Sequence, residues 1–425
     1  MDTNEYPIMD VMNYMEIINV IRNTLKRIDE RLVCHGERVA YIIHEMLEYQ
    51  NLDYIDRKIL FLLSVFHDIG AYKTEEISEL LEFETHNVQN HSFYGYLFVK
   101  NLTPLKEFAD VILYHHTPYE KLKKIECRHR EYAELIFLAN RIDTLTQNTN
   151  KKLDYSMIEN KSPQAFNPDF VDLFLKADKE RHIMEKIANN RYKQTIENII
   201  SSLHLENSEV VSYLKMVVYS IDFRSEYTVT HSINTTTISV TLGKILGYND
   251  KDLSNIYFGA LIHDIGKITI PLFILESPDK LSPEETEIMR THVWETDNII
   301  GGIINEDIRK IAVRHHEKLN GKGYPYKLKA EELTGPQRIV AVADILSALS
   351  GIRSYKDVFS KEKTLDIIEA MMNRGDLCPT VCQCVLKNYD EIMAASKTQS
   401  QTIIKLYKNI SSDYLTLQKD YMDLI

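Results

Sequence analysis

The chain writes one series of metal-ligand residues twice. The first copy reads His35, His67-Asp68, His91, His115-His116 and Asp143, and the second reads His231, His263-Asp264, His292, His315-His316 and Asp344. Corresponding members lie 196 residues apart at the first His and at the His-Asp pair, and 200 or 201 apart at the later positions. Small insertions account for that drift. Each copy holds five His and two Asp, and together they use ten of the fifteen histidines. Such a set has enough donors for two metal ions that share one carboxylate. Any one of these histidines alone would be an ordinary core or surface residue. Their recurrence in the same order points to tandem duplication of a dinuclear metal domain.

A length of 425 residues suits roughly two or three domains, each able to bury its own core. The net charge of −12 argues against a DNA binder or a membrane-surface binder. A small anionic substrate is compatible with it, because salt screens a distant net charge and a local basic pocket decides. The N-terminus carries Asp2, Glu5 and Asp10 without a cationic region followed by an apolar core, so no secretory signal is expected. No run reaches about 18 apolar residues, so no membrane helix is expected. Five cysteines, an odd number, suit a reducing cytoplasm. Cys378, Cys382 and Cys384 cluster in an apolar helical pattern, which favours buried core residues over a zinc site.

The pattern along the chain is helical. Segments 10–28, 56–66, 109–113 and 252–262 carry apolar residues at helical spacing, and 14 Gly with 11 Pro leave little room for the turns of an all-β protein. Pro271, Pro278 and Pro283 punctuate one long connection after the second His-Asp pair. The segment from Phe166 to Lys176 resembles that from Leu377 to Lys387, so the repeat extends beyond the ligands. The expectation is an all-α protein: a first domain over 1–195, a connecting helix over 196–220, a second domain over 221–390 and a helical tail over 391–425. Apolar residues of the tail (Ile403, Ile404, Leu406, Ile410, Leu415, Leu417) suit packing on the protein itself, with homodimer formation through the tail as the alternative.

The second copy carries the sharper chemistry. His263-Asp264 ends an apolar helix and is followed by Ile265-Gly266-Lys267. Adjacent His and Asp can both reach metal only where the backbone turns, which gives Gly266 a role in stopping the helix and letting backbone approach the site. Two cations bridged by a carboxylate lower the pKa of water and clamp a phosphoryl oxygen, a combination suited to phosphoester hydrolysis.

His263-Asp264-Ile265-Gly266-Lys267 resembles the signature of the HD superfamily of metal-dependent phosphohydrolases. The run from His315-His316-Glu317 to Gly323-Tyr324-Pro325 resembles the motif of its HD-GYP subfamily. The resemblance covers about residues 220–390, with Thr228, Pro271, Arg338 and Ile339 also fitting. It implies two tandem HD-type helical domains, the second HD-GYP-like, and hydrolysis of a cyclic dinucleotide, cyclic di-GMP or 3′,3′-cyclic GMP–AMP. It further implies two divalent transition-metal ions, Fe or Mn, in the second domain. His231, His263, Asp264 and Asp344 would hold one ion, and Asp264, His292, His315 and His316 the other. Lys267 would join Asp264 in catalysis and contact the scissile phosphate. Arg353 and Lys356 would contact substrate, and Gly323, Tyr324 and Pro325 would shape the pocket wall.

The chain departs from the subfamily at Asn320, where Asp is usual, and at Ser347 and Ile352, where acidic residues are usual. Tyr227 stands where a Glu would support a third metal. The first copy keeps every ligand type, which would admit two more ions, but Ala71 replaces the Lys267 counterpart and no Gly-Tyr-Pro loop follows His116. Three readings compete for that domain: a second phosphohydrolase, a metal-loaded sensor, or a structural element. For the whole chain the alternatives are a phosphohydrolase acting on a dNTP or an alarmone, and a non-catalytic cyclic dinucleotide sensor.

Overall fold

In the computed structural model of the protein, residues 11–28, 30–71, 90–148, 153–225, 228–277, 279–350 and 359–424 are described. Regular structure among them is helical, apart from an isolated bridge between Asn320 and Lys329. The chain forms two compact units. One combines Asp29–Met216 with Ile410–Ile425, and the other combines Met1–Ile28 with Val217–Asn409.

The N-terminal unit contains α2 (Glu30–Tyr49), α3 (Arg57–Phe66), α4 (Asn90–Leu102), α5 (Ala109–Tyr114), α6 (Arg130–Asn148), α7 (Pro168–Arg181) and α8 (Tyr192–Ser202). A further helix, α9 (Asn207–Asp222), leads to the C-terminal unit. There follow α10 (His231–Ile245), α11 (Asp250–Ile262), α12 (Pro283–Ile300), α13 (Glu306–Val313), α14 (Gly335–Ser350), α15 (Lys361–Asn373) and α16 (Pro379–Leu424).

Local chemistry sets the helix that leads to each His-Asp pair. The Asp56 side chain accepts from the Ile59 N–H to start α3, and Asn249 accepts from the Asp252 N–H to start α11. Every residue from Leu253 to Ile262 is buried, as expected for a helix that is central to its domain. It packs against α10, α13 and α14, which carry ligand-type residues at the start of α10, just past the end of α13 and within α14. The proline-rich connection contains a short helix at Leu272–Leu275. It ends where Ser282 and Glu285 cap α12 reciprocally, with Pro283 in the first turn.

The terminal helices correct the domain boundaries drawn from the sequence. Helix α1 (Tyr14–Ile28) belongs to the C-terminal unit, where Ile17, Val20, Ile21 and Leu25 are buried. Asn23 donates to the Ile299 carbonyl at 3.1 Å, and Arg27 pairs with Glu295 at 3.3 Å. The far end of α16 packs on the N-terminal unit. Tyr421 clusters with Phe93 and Leu113 and bonds the Thr117 hydroxyl at 3.1 Å, while the Tyr414 hydroxyl donates to Asn90 at 2.8 Å. Of the tail's apolar residues, Ile403 and Ile410 are buried within the chain, while Leu415 is 66% exposed. Boundaries at 195 and 390 followed covalent order, whereas burial of amphipathic faces decides which unit a terminal helix completes. Cys378, Cys382 and Cys384 are buried, as expected of core residues.

Gly266 serves the close backbone approach expected of it and not the helix stop, because α11 ends at Ile262. It lies in a 3-10 turn, Ile265–Thr269, and its φ is not positive. A Cβ there would meet the His292 carbonyl oxygen at 2.1 Å and the Thr296 nitrogen at 2.5 Å. The glycine lets the turn after His263-Asp264 lie directly on α12. Gly70 repeats the contact in the first copy, where a Cβ would meet the His91 oxygen at 2.0 Å and the Gly95 nitrogen at 2.4 Å. Gly266→Ala should push α12 away, lower stability by about 1–3 kcal/mol through overpacking, and reduce bound metal. Thermal unfolding and elemental analysis check this; an unchanged midpoint with full metal content would contradict it.

Candidate metal centre

Helices α10, α11, α12, α13 and α14 bring the seven ligand-type residues of the second copy together. His231 opens α10, His263-Asp264 follows α11, His292 lies in α12, His315-His316 follow α13 and Asp344 lies in α14. Asp264 sits at the middle with its two oxygens facing different histidines. Oδ2 lies 3.1 Å from both His231 Nε2 and His263 Nε2, and Oδ1 lies 3.3 Å from His292 Nε2 and 3.9 Å from His315 Nε2. Asp344 Oδ1 is 3.1 Å from His231 Nε2, and its Oδ2 is 3.5 Å from His316 Nδ1.

The donor set fits metal cations. Nδ1–H of His263, His292 and His315 donates to the carbonyls of Ala260, Met289 and Ala312 at 2.6–2.7 Å. These bonds fix the tautomer and leave each Nε2 lone pair turned inward. Inward nitrogens then face each other, His263 and His231 at 3.3 Å and His292 and His315 at 3.4 Å. Asp264 Oδ1 is buried with no hydrogen-bond donor. Lone pairs and a carboxylate oxygen gathered at such distances call for a cation between them.

The titration preferences of His292 and His316 agree with that demand. Burial pushes the His292 imidazole down to about 4 and that of His316 down to about 3, so both are neutral, the ligand form. Burial also opposes charging of His263, but the Asp264 and Asp344 carboxylates outweigh it and raise this group to about 10. Asp264 and Asp344 are held well below the carboxylate range. Burial opposes their ionisation, and the surrounding imidazoles, with Lys267 for Asp264, override it.

The residues around the ligands place the remaining functional candidates. Lys267 is bonded to Asp264 Oδ2. The Arg224 guanidinium donates to the Lys267 and Ile268 carbonyls at 3.1 and 2.8 Å, holding the turn that carries Lys267. Glu317 accepts from the backbone N–H of Tyr326 and Leu328 at 2.7 and 2.9 Å, which pins the Gly-Tyr-Pro loop. Gly323 sits so close to the chain that a Cβ would meet Lys318 N at 2.4 Å. The Tyr324 ring centroid is 4.6 Å from that of His316, so the loop does line the centre. Asn320 donates to Asp376 Oδ1 at 2.7 Å, and an Asp at that position would repel this carboxylate. The Ser347 hydroxyl lies 3.2 Å from His231 Nδ1, in a position to orient that ring. Arg353, Lys356, Ile352 and Tyr227 lie outside the described residues.

The first copy is assembled alike except at one corner. Asp68 faces His67 at 3.3 Å through one oxygen and His91 and His115 at 3.4 and 3.6 Å through the other. His91 and His116 face each other at 3.0 Å, and Nδ1–H of His67 and His115 donates to the Ser64 and Ile112 carbonyls. Burial lowers His67 to about 4 and His91 to about 3. Asp143 differs from Asp344: Arg38 donates to both of its oxygens, at 2.5 and 2.8 Å, and His35 Nδ1 lies 2.7 Å from one of them. Asn234 stands where Arg38 would fall in the second copy, and it accepts from Ser396 and Ser400 instead. Sequence spacing placed Asp143 correctly beside His35 but did not reveal this guanidinium partner. Four ligand groups, two in each copy, have donor atoms within 4.8 Å of one another: Asp68-His91-His115-His116, His35-His67-Asp68, His292-His315-His316 and His231-His263-Asp264.

Comparison with known proteins agrees with the duplication. Family models described as HD domain match residues 32–145 and 184–381. A 3′3′-cGAMP-specific phosphodiesterase of Vibrio cholerae is 28% identical over 388 residues, 87% of this chain and 90% of that protein. A cyclic di-GMP phosphodiesterase of Thermotoga maritima is 34% identical over 187 residues, 43% of this chain and half of that one. The crystal structure of a cyclic GMP-AMP-specific phosphodiesterase of V. cholerae superposes with a TM-score of 0.56 at 17% identity, covering 90% of this chain and 97% of its own, and supports the fold. With an HD domain matched around each His-Asp series and the HD-GYP signature after His315, the chain belongs to the HD family as a tandem HD and HD-GYP protein.

Proposed function

We propose that the protein is a metal-dependent phosphodiesterase that opens a cyclic dinucleotide, 3′,3′-cyclic GMP–AMP or cyclic di-GMP, to the linear dinucleotide. One observation carries this reading: the buried Asp264 carboxylate presents one oxygen to His231 and His263 and the other to His292 and His315. Two divalent ions, Fe or Mn, would be held here, one by His231, His263, Asp264 and Asp344 and the other by Asp264, His292, His315 and His316. Bound there, the ions supply Lewis acidity toward a phosphoryl oxygen and acidify water near neutral pH. The full-length likeness to a 3′3′-cGAMP-specific enzyme supports the substrate class, and the mixed GMP–AMP ring above the symmetric one.

The protein's own groups do the rest. The walls formed by α10, α11, α12 and α14 exclude bulk water from the buried carboxylates. Lys267, held by Arg224 through its carbonyl, brings an ammonium beside Asp264 where charge grows on the attacked phosphate. Tyr324 and Gly323 close one side of the pocket. No helix among the described residues is long and apolar enough to cross a membrane, and five free cysteines suit a reducing cytoplasm. We assign the first copy a metal-holding role that does not replace the second. It lacks the lysine at Ala71, and its Asp143 is engaged by Arg38.

Three variants separate these roles. Asp264→Ala removes the shared ligand, so metal content should fall and hydrolysis should drop by orders of magnitude; near-native turnover would sink the mechanism. Lys267→Ala should keep its metals while turnover falls roughly 10²–10³-fold, as for loss of one charge-stabilising donor. Parallel loss of metal and rate would make Lys267 structural. A His67→Ala, Asp68→Ala double variant should still open the cyclic substrate, as followed by chromatography of the products. Disappearance of that activity would move catalysis to the first copy.

A further inference from the structure

Arg290 lies in α12 two residues before His292. Its guanidinium carbon is 5.2 Å from the centroid of the Tyr324 ring, and that ring's centroid is 4.6 Å from the His316 ring. Three groups thus lead outward from an imidazole of the metal centre to a half-exposed cation. The Tyr324 ring holds the guanidinium by cation–π attraction, worth about 0.5–1 kcal/mol at an exposed site. Arg290 also forms an ion pair with Glu287 at 2.6 Å, with side chains 48% and 71% exposed. An exposed pair of this kind contributes little and exchanges readily for a better anion.

We propose that Arg290 binds the phosphate of the substrate that is not cleaved, an inference that rests on the cyclic dinucleotide reading. A cyclic dinucleotide carries two phosphodiester anions on opposite sides of one macrocycle. The cleaved one has the metal centre and Lys267. The second gains from a counter-charge of its own, and the Arg290 guanidinium lies one aromatic side chain away from a ligand of the centre. A planar guanidinium offers paired N–H donors that match two phosphate oxygens. It matches the N7 and O6 of guanine as well. A full anion forms the stronger bond, and the half-exposed position of Arg290 lacks the enclosing walls that select a base.

The test compares metal-loaded wild type with Arg290→Met and Arg290→Lys on three substrates: cyclic GMP–AMP, cyclic di-GMP and bis(p-nitrophenyl) phosphate. The last has the phosphodiester but no second phosphate and no base. Arg290→Met should raise KM for both cyclic dinucleotides by about ten- to a hundredfold, the loss of one charge-assisted bond. Metal content, kcat and all parameters for bis(p-nitrophenyl) phosphate should stay close to wild type, and Arg290→Lys should recover part of the KM. An unchanged KM overturns the proposal. Equal damage to bis(p-nitrophenyl) phosphate overturns it by making Arg290 a support of the centre itself. A changed preference between the two cyclic substrates, without a general rise in KM, assigns Arg290 to the base and also overturns it. Wild type that cleaves bis(p-nitrophenyl) phosphate and neither cyclic dinucleotide defeats the substrate reading, and the proposal falls with it.

Discussion

The C-terminal unit is organised around one buried carboxylate. Asp264 is enclosed by four inward-facing imidazole nitrogens and Lys267, and its Oδ1 has no donor of its own. A charge in that position is tolerated only with cations beside it, because burial of an unpaired carboxylate costs several kcal/mol. Much of the surrounding architecture follows from meeting that condition. Five helices point an end or a face at one spot, three of the imidazoles are each fixed by a carbonyl three residues earlier, and the Gly266 turn is pressed onto α12 so that His292 can reach.

The duplication makes the protein its own control. The carboxylate at the His-Asp pair, the two histidines facing it and the glycine after it keep the same contacts in both copies. What differs is the fixed positive charge. In the second copy a lysine reaches the shared carboxylate, and Asp344 turns toward three histidines. In the first copy Ala71 stands at the corresponding position, and Arg38 brings a cation to Asp143. A cation beside the shared carboxylate can act on a bound phosphate. A cation clamped across the second carboxylate mainly neutralises it. This contrast is the physical ground for assigning phosphodiester chemistry to the second copy.

Residues whose chemistry permits no substitute were legible in the sequence. The His and Asp series stood out by order and spacing, and the structure brings each copy's members together. Helix starts at Asp56, Asn249 and Ser282 were legible in principle, since short polar side chains before an apolar run are capping signals. The placement of α1 and of the end of α16 was not, because an amphipathic face states that it needs a partner but not which one. Long-range single contacts were equally hidden: Arg38 on Asp143, Arg224 on the carbonyl of Lys267, Asn320 on Asp376. For Gly266 the close backbone approach was legible, but the partner was not: its missing side chain is needed for contact with a helix that begins some seventeen residues later.

In the proposed reaction water attacks one phosphodiester of a cyclic dinucleotide at the C-terminal centre. The most direct measurement is mass spectrometry of the products formed by the metal-loaded protein from cyclic GMP–AMP and cyclic di-GMP in ¹⁸O-enriched water. The expected product is a linear dinucleotide with one heavy oxygen on its new terminal phosphate, formed by wild type and not by Asp264→Ala. Intact cyclic substrate after incubation, or a linear product formed equally by Asp264→Ala, would contradict it.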